Sequence, residues 1–171
     1  MTSHSFTRKK FIALASLGVA GSFLPTAAQQ QEPERPPALN PVLVKDFVVA
    51  GHGNFEKVKQ MLQEHPTLLY ATWDWGGGDF ETALEGAGHV GNKEVANYLI
   101  TLGARTNLFV LTMLGKTNIV KPFLEQFPQF ITAKGPHGFT LLHHAQRGSD
   151  DAKELLDFLQ SKGLSKARIA I

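Results

Sequence analysis

The sequence predicts an all-α repeat solenoid of about four helix-turn-helix copies with short β-hairpin fingers, and three observations predict it. A phrase of small, apolar and glycine residues recurs four times between residues 42 and 165. In the first three copies a turn glycine (Gly53, Gly91 or Gly115) stands eight and nine positions ahead of an apolar pair. One helix pair cannot bury its apolar face alone, but a stack of pairs can, and a composition of 43% apolar and 19% charged residues suits such a stack. The 171 residues leave room for one domain and an export segment. The chain has no cysteine, which excludes disulfides, thiol nucleophiles, thiolate zinc sites and a lipid-bearing cysteine.

Taken in order, residues 1–28 read as an export signal peptide. Arg8, Lys9 and Lys10 precede a 14-residue apolar run, Phe11 to Leu24, which is too short to span a bilayer comfortably. Pro25 ends the run, and Thr26-Ala27-Ala28 offers small residues for cleavage before Gln29. The segment Thr7-Arg8-Lys9-Lys10-Phe11-Ile12 resembles a bacterial twin-arginine signal with lysine in the second arginine's place, so twin-arginine and general secretion both stay open. The expected location is periplasmic or extracellular, with membrane attachment only through an uncleaved leader. The leader also carries the basic excess. Net charge is +2, yet beyond residue 28 there are 14 Lys and Arg against 15 Asp and Glu. That near-neutral remainder, its lysines scattered among acids, disfavours a nucleic-acid partner. Residues 29–41 hold four prolines and read as a solvated linker.

The repeat domain is expected over residues 42–165, and its second copy is the clearest. Thr82 caps a first helix to Val90, with Glu85 at capping-box spacing. Gly91-Asn92 turns the chain into a second helix carrying Val95, Ala96, Leu99 and Ile100, which Gly103 ends in the left-handed conformation. Copy one leads from Val49–Asn54 into Val58, Met61 and Leu62. Copy three leads from Leu111–Gly115 into Ile119, Val120, Phe123 and Leu124, with Pro122 expected to kink or shorten the helix. Copy four leads from Thr140–Ala145 into Leu155, Leu156, Phe158 and Leu159.

Residues 140–145 (TLLHHA) and 91–104 (GNKEVANYLITLGA) resemble the ankyrin repeat, and the resemblance covers residues 42–163. With its leader, its WDWGGGD insert at 73–79 and its GPHGFTLLHHA segment at 135–145, the chain resembles small exported bacterial ankyrin-repeat proteins. The resemblance implies a monomeric module that binds a protein partner through its concave face, without catalysis or cofactor. Against a period of about 33 residues, Gly53 to Gly91 is 38 positions and Gly91 to Gly115 only 24. The finger between copies one and two is therefore enlarged, and the next one missing.

Candidate binding residues begin in that enlarged finger. Trp73 and Trp75 alternate with Asp74 on a short strand, and Gly76 to Gly78 let the chain turn back before Asp79. Tryptophans anchor interfaces well, although either can instead pack sideways onto the adjacent copy; Asp74 and Asp79 can serve a ligand, but more commonly cap turns. An alternative use of the same residues is a small-molecule or carbohydrate pocket. Along the groove the candidates are His52, His89, Met113, His137 and Arg147. Six histidines follow the leader, but no H-E-x-x-H or i,i+4 pair occurs, so spacing argues for no metal site. His143 fills the structural histidine position of the ankyrin phrase. Glu81 and Glu85 read as helix-start acids, and no nucleophile stands beside a base in the sequence.

Overall fold

Side-chain caps and apolar spacing decide where the helices form. The computed structural model describes residues 35–171, so the expected export signal over residues 1–28 and residues 29–34 of the expected linker lie outside the described residues. Among the described residues, eight α-helices form four pairs: α1 (Pro41–Gly51) with α2 (Phe55–Glu64), α3 (Ala83–Val90) with α4 (Lys93–Thr101), α5 (Leu108–Met113) with α6 (Thr117–Gln126), and α7 (Leu141–Gly148) with α8 (Lys153–Ser161). Asparagines cap four of them: the side chains of Asn40, Asn54, Asn92 and Asn107 each accept a backbone N–H in the first turn. Thr82 and Glu85 form the expected capping box at α3, and Gly91 closes that helix at a φ of 82°. None of the described helices is long and apolar enough to cross a membrane.

The pairs stack. Helices α1, α3, α5 and α7 touch in series, while α2 meets α4 and α6 meets α8 behind them. One core cluster joins Phe47, Val58, Leu68, Leu84, Val95 and Leu99 to Val110 and Met113; a second gathers Val120, Leu124, Leu141, Leu155 and Leu159. Met113 is wholly buried, which corrects its expected place in a binding groove. Helix α5 has only six residues and lies between α3 and α7, so its last turn has neighbours on both sides. Pro122 sits inside a ten-residue α6 without shortening it.

The expected fingers are realised unevenly. Strands β1 (Thr72–Asp74) and β2 (Phe80–Thr82) pair antiparallel, Thr72 with Thr82, Trp73 with Glu81 and Asp74 with Phe80. Between α4 and α5 the chain crosses by Leu102–Asn107 with no strand, as the short glycine spacing predicts. Before α7 a single 3-10 turn, Pro136–Gly138, replaces a hairpin, and Phe139 bridges to Arg168 of the C-terminal segment. That segment packs back firmly: Thr140 N–H donates to Ala167 O at 3.0 Å and Ile169 N–H to Gly138 O at 2.9 Å. The packed unit therefore runs past residue 165, from Pro37 to Ile171. The consequence that matters most is that the fingerless third copy lets α7 touch α3 directly.

Candidate functional site

Three histidines and one glutamate from different copies meet beneath the finger. Alternation along β2 places Phe80 outside and Glu81 inside, where it is 0% exposed. His52 follows the last residue of α1, and its Nδ1–H donates to Val48 O at 3.0 Å. His89 lies in the last turn of α3, nearly buried, with its carbonyl accepting His143 Nε2–H at 2.8 Å. His137 comes from the turn before α7 and adopts a φ of 58°, a left-handed conformation uncommon outside glycine. Three contacts hold it there. Its backbone N–H and its Nδ1–H both donate to the Asp79 carboxylate, at 2.8 and 2.7 Å, and Arg168 Nε–H donates to its carbonyl at 2.7 Å.

Glu81 is the centre of this group. Its Oε2 accepts Trp75 Nε1–H at 2.7 Å and lies 3.5 Å from both His52 Nε2 and His137 Nε2. Its Oε1 lies 3.0 Å from His89 Nδ1, but the two are misaligned for a hydrogen bond, and both atoms are buried without a hydrogen-bond partner among the described residues. One donor atom from each of the four residues falls within 4.8 Å of all the others. Burial pushes the Glu81 carboxyl upward, but the adjacent imidazoles of His52 and His89 more than reverse this and hold it at about 2. The Glu81 hydrogen bond raises His52 in return, against the opposing effect of burial. The rings also touch one another, with His52–His89 centroids 4.7 Å apart and His89–His137 centroids 5.3 Å apart.

Five of the nine residues expected from sequence converge here: His52, His89, His137, Asp79 and Trp75. The other four do not. Asp74 caps the finger's turn, accepting Gly76 N–H at 2.8 Å and Gly78 N–H at 3.2 Å. Trp73 is half-buried against the first core cluster, and Met113 belongs to that cluster. Arg147 is exposed at the end of α7, where its backbone backs onto Gly91. Glu81 was the residue that sequence reasoning missed: it reads as a helix-start acid, but it sits on a strand one residue before the cap. The available signal was the alternation Phe80-Glu81-Thr82 after a glycine turn, which opposes the faces of residues 80 and 81. Histidine spacing along a single helix is silent on this cluster, because the fold assembles it from the ends of α1 and α3, from β2 and from the turn before α7. Comparisons with family models, with curated proteins and with solved structures find no match.

Proposed function

We propose that the chain is an exported ankyrin-like recognition module that binds another protein through the β1–β2 finger and the face built by α1, α3, α5 and α7. The observation that carries this reading is a finger braced from within yet aromatic outside. Inside, Trp75 is tied to Glu81, Asp79 to His137, and Asp74 to the glycine turn. Outside, Phe80 is 58% exposed, Trp75 37% and the neighbouring Tyr70 49%. Aromatic area held in one conformation loses little freedom on binding, which is how interface anchors gain their effect. The ammonium of Lys45 stands over both indoles, 5.7 Å from Trp73 and 5.9 Å from Trp75. It stands where a sugar ring would stack, and a cavity of about 460 Å³ beside His137 is lined by Asp79 of the finger but by neither tryptophan. These two facts favour a protein partner over the carbohydrate alternative. The reading assigns no reaction.

Phe80→Ala tests it, because Phe80 is exposed and its side chain takes part in none of the bracing bonds. Immobilised wild type is expected to retain a defined protein from bacterial envelope extract, and the variant to lose it while keeping its fold by circular dichroism. Retention of the same protein by both would remove the finger as the binding surface.

A further inference from the structure

We propose that His52, Glu81, His89 and His137 together bind one divalent first-row transition ion of the zinc class, in a four-ligand site that fastens the finger and the fourth copy to the first two. The inference stands apart from the recognition reading, since it concerns what lies beneath the finger.

Four features carry it. The first is the absence of a permanent cation beside Glu81 among the described residues. Glu81 is a fully buried carboxylate whose ion-pair contacts among the described residues are imidazoles alone, with neither lysine nor arginine. A buried carboxylate is costly unless a cation compensates it. The second is the pair of orphaned atoms. Glu81 Oε1 and His89 Nδ1 are both buried and unpartnered while facing each other across 3.0 Å. A shared proton requires an alignment that this pair lacks, whereas an ion set to one side of the line between them satisfies both lone pairs at once.

The third feature is the arrangement of the remote ring nitrogens. His52 Nδ1–H is committed to a backbone carbonyl and His137 Nδ1–H to a carboxylate. In the neutral rings these bonds keep the proton on Nδ1, which leaves each Nε2, 3.5 Å from Glu81 Oε2, to a metal in place of the proton it shares with Glu81, the arrangement that supports metal-ligating histidines. The left-handed backbone of His137, held by Asp79 and Arg168, is local strain retained where a side chain must be aimed. The fourth feature is distance. Zinc bonds of about 2.0–2.1 Å in a tetrahedron put the ligands about 3.3 Å apart. The separations are 3.0 Å from Glu81 Oε1 to His89 Nδ1 and 3.5 Å from the other carboxylate oxygen, Oε2, to each of the other two rings, so one oxygen ligates and the carboxylate turns toward the ion. Every pair of donor atoms lies within 4.8 Å, so the rings draw inward as the ion binds.

The donor set names the ion. Three imidazoles and a carboxylate without thiolate select a borderline first-row divalent cation over calcium or magnesium, which take oxygen shells. Four protein ligands complete a tetrahedron, so the site has the character of a structural centre. Asp79 is then a positioning residue acting through His137, and Trp75 acts in the same way through Glu81.

The test uses the full chain stripped with a chelator, zinc or cobalt(II) as the probe, and calcium and magnesium as controls. One zinc per chain is expected in competition with a chromophoric chelator, and bound cobalt should show the intense visible bands of tetrahedral coordination. His137→Asn removes a half-exposed ligand without opening the core, and Glu81→Gln keeps the shape of the central one. Each is expected to weaken zinc by at least about 100-fold, and Asp79→Asn by about 10–100-fold with the tetrahedral spectrum retained. His65→Asn, at an exposed histidine outside the cluster, should change nothing. If Glu81→Gln fails to fold, His137→Asn decides alone. Absence of stoichiometric zinc in the wild type overturns the proposal and leaves the cluster a proton-sharing network. Zinc binding that survives His137→Asn overturns it equally, and octahedral cobalt bands overturn the closed four-ligand shell.

Discussion

Two glycines in one turn are predicted to respond to the same substitution with opposite signs. Gly51 is the last residue of α1 and is buried where α1 crosses the start of α3. A Cβ there would press on the carbonyl oxygen of Ala83, 2.6 Å from its Cα and 2.8 Å from its carbonyl carbon. These are backbone atoms held in a capped helix, so the helices must separate by about 1 Å for ordinary contact. Overpacking of this kind costs about 1–3 kcal/mol, and the better helix propensity of alanine returns up to about 1 kcal/mol. The net expectation for Gly51→Ala is a loss of about 1–2 kcal/mol. For a domain of this size that is a fall in Tm of about 4–8 °C. Two residues on, Gly53 has no heavy atom within 4 Å of such a Cβ, and its φ is not positive. Gly53→Ala should therefore be neutral or stabilising by up to about 1 kcal/mol, through the lost freedom of the unfolded chain. Urea midpoints and thermal melts of both variants, at fixed pH and with chelator present, measure the pair. A Gly51→Ala protein as stable as wild type, or a Gly53→Ala protein equally damaged, would refute the close approach of the first two copies.

Two further stability measurements follow from the buried polar groups. Burial pushes His144 down to about 4, reinforced by the nearby His143 and His89 and opposed by its bond to Thr140 O. The folded state thus holds the proton less tightly than the unfolded chain, so stability should fall as pH drops from about 6.5 to about 4, by about 3 kcal/mol at full effect. His144→Gln should flatten that part of the urea-midpoint profile relative to wild type, and an unchanged slope would show that other groups cause it. Thr82→Ala removes the hydroxyl that accepts Glu85 N–H at 3.2 Å and should cost about 1 kcal/mol, read as a urea-midpoint shift that Thr82→Ser restores.

Local chemistry was legible in the sequence wherever a residue acts on its own helix. Thr82, Glu85, Gly91 and Gly103 do in the structure what their types and spacing predict, and Val58, Leu99, Val120 and Leu155 are buried as their periodicity requires. Legibility ended where the outcome depends on which copies touch. Met113 looks like a groove residue from its place near the end of a first helix, but a six-residue α5 places it inside the core. Gly53 occupies the turn position of Gly91 and Gly115, yet its φ is not positive while theirs are 82° and 64°: here Asn54 N–H already returns to Ala50 O with His52 still in the right-handed region.

The histidine cluster follows from the same dependence on context. The spacing of residues 52, 81, 89 and 137 does not itself bring them together, since they come from the end of α1, β2, α3 and the turn before α7. The one sequence feature that foreshadows it is the short interval between Gly91 and Gly115. A full finger on the third copy would stand between the finger of the second and the turn of the fourth. Without one, α7 lies against α3, Lys93 Nζ reaches Asp151 at 2.7 Å and Gly148 O at 2.8 Å, and His137 meets Asp79 and Glu81. The short crossing between α4 and α5 is thus what leaves room for the histidine cluster. Restoring a finger between Thr101 and Asn107 should open the contact between Asp79 and His137 before it disturbs either hydrophobic cluster.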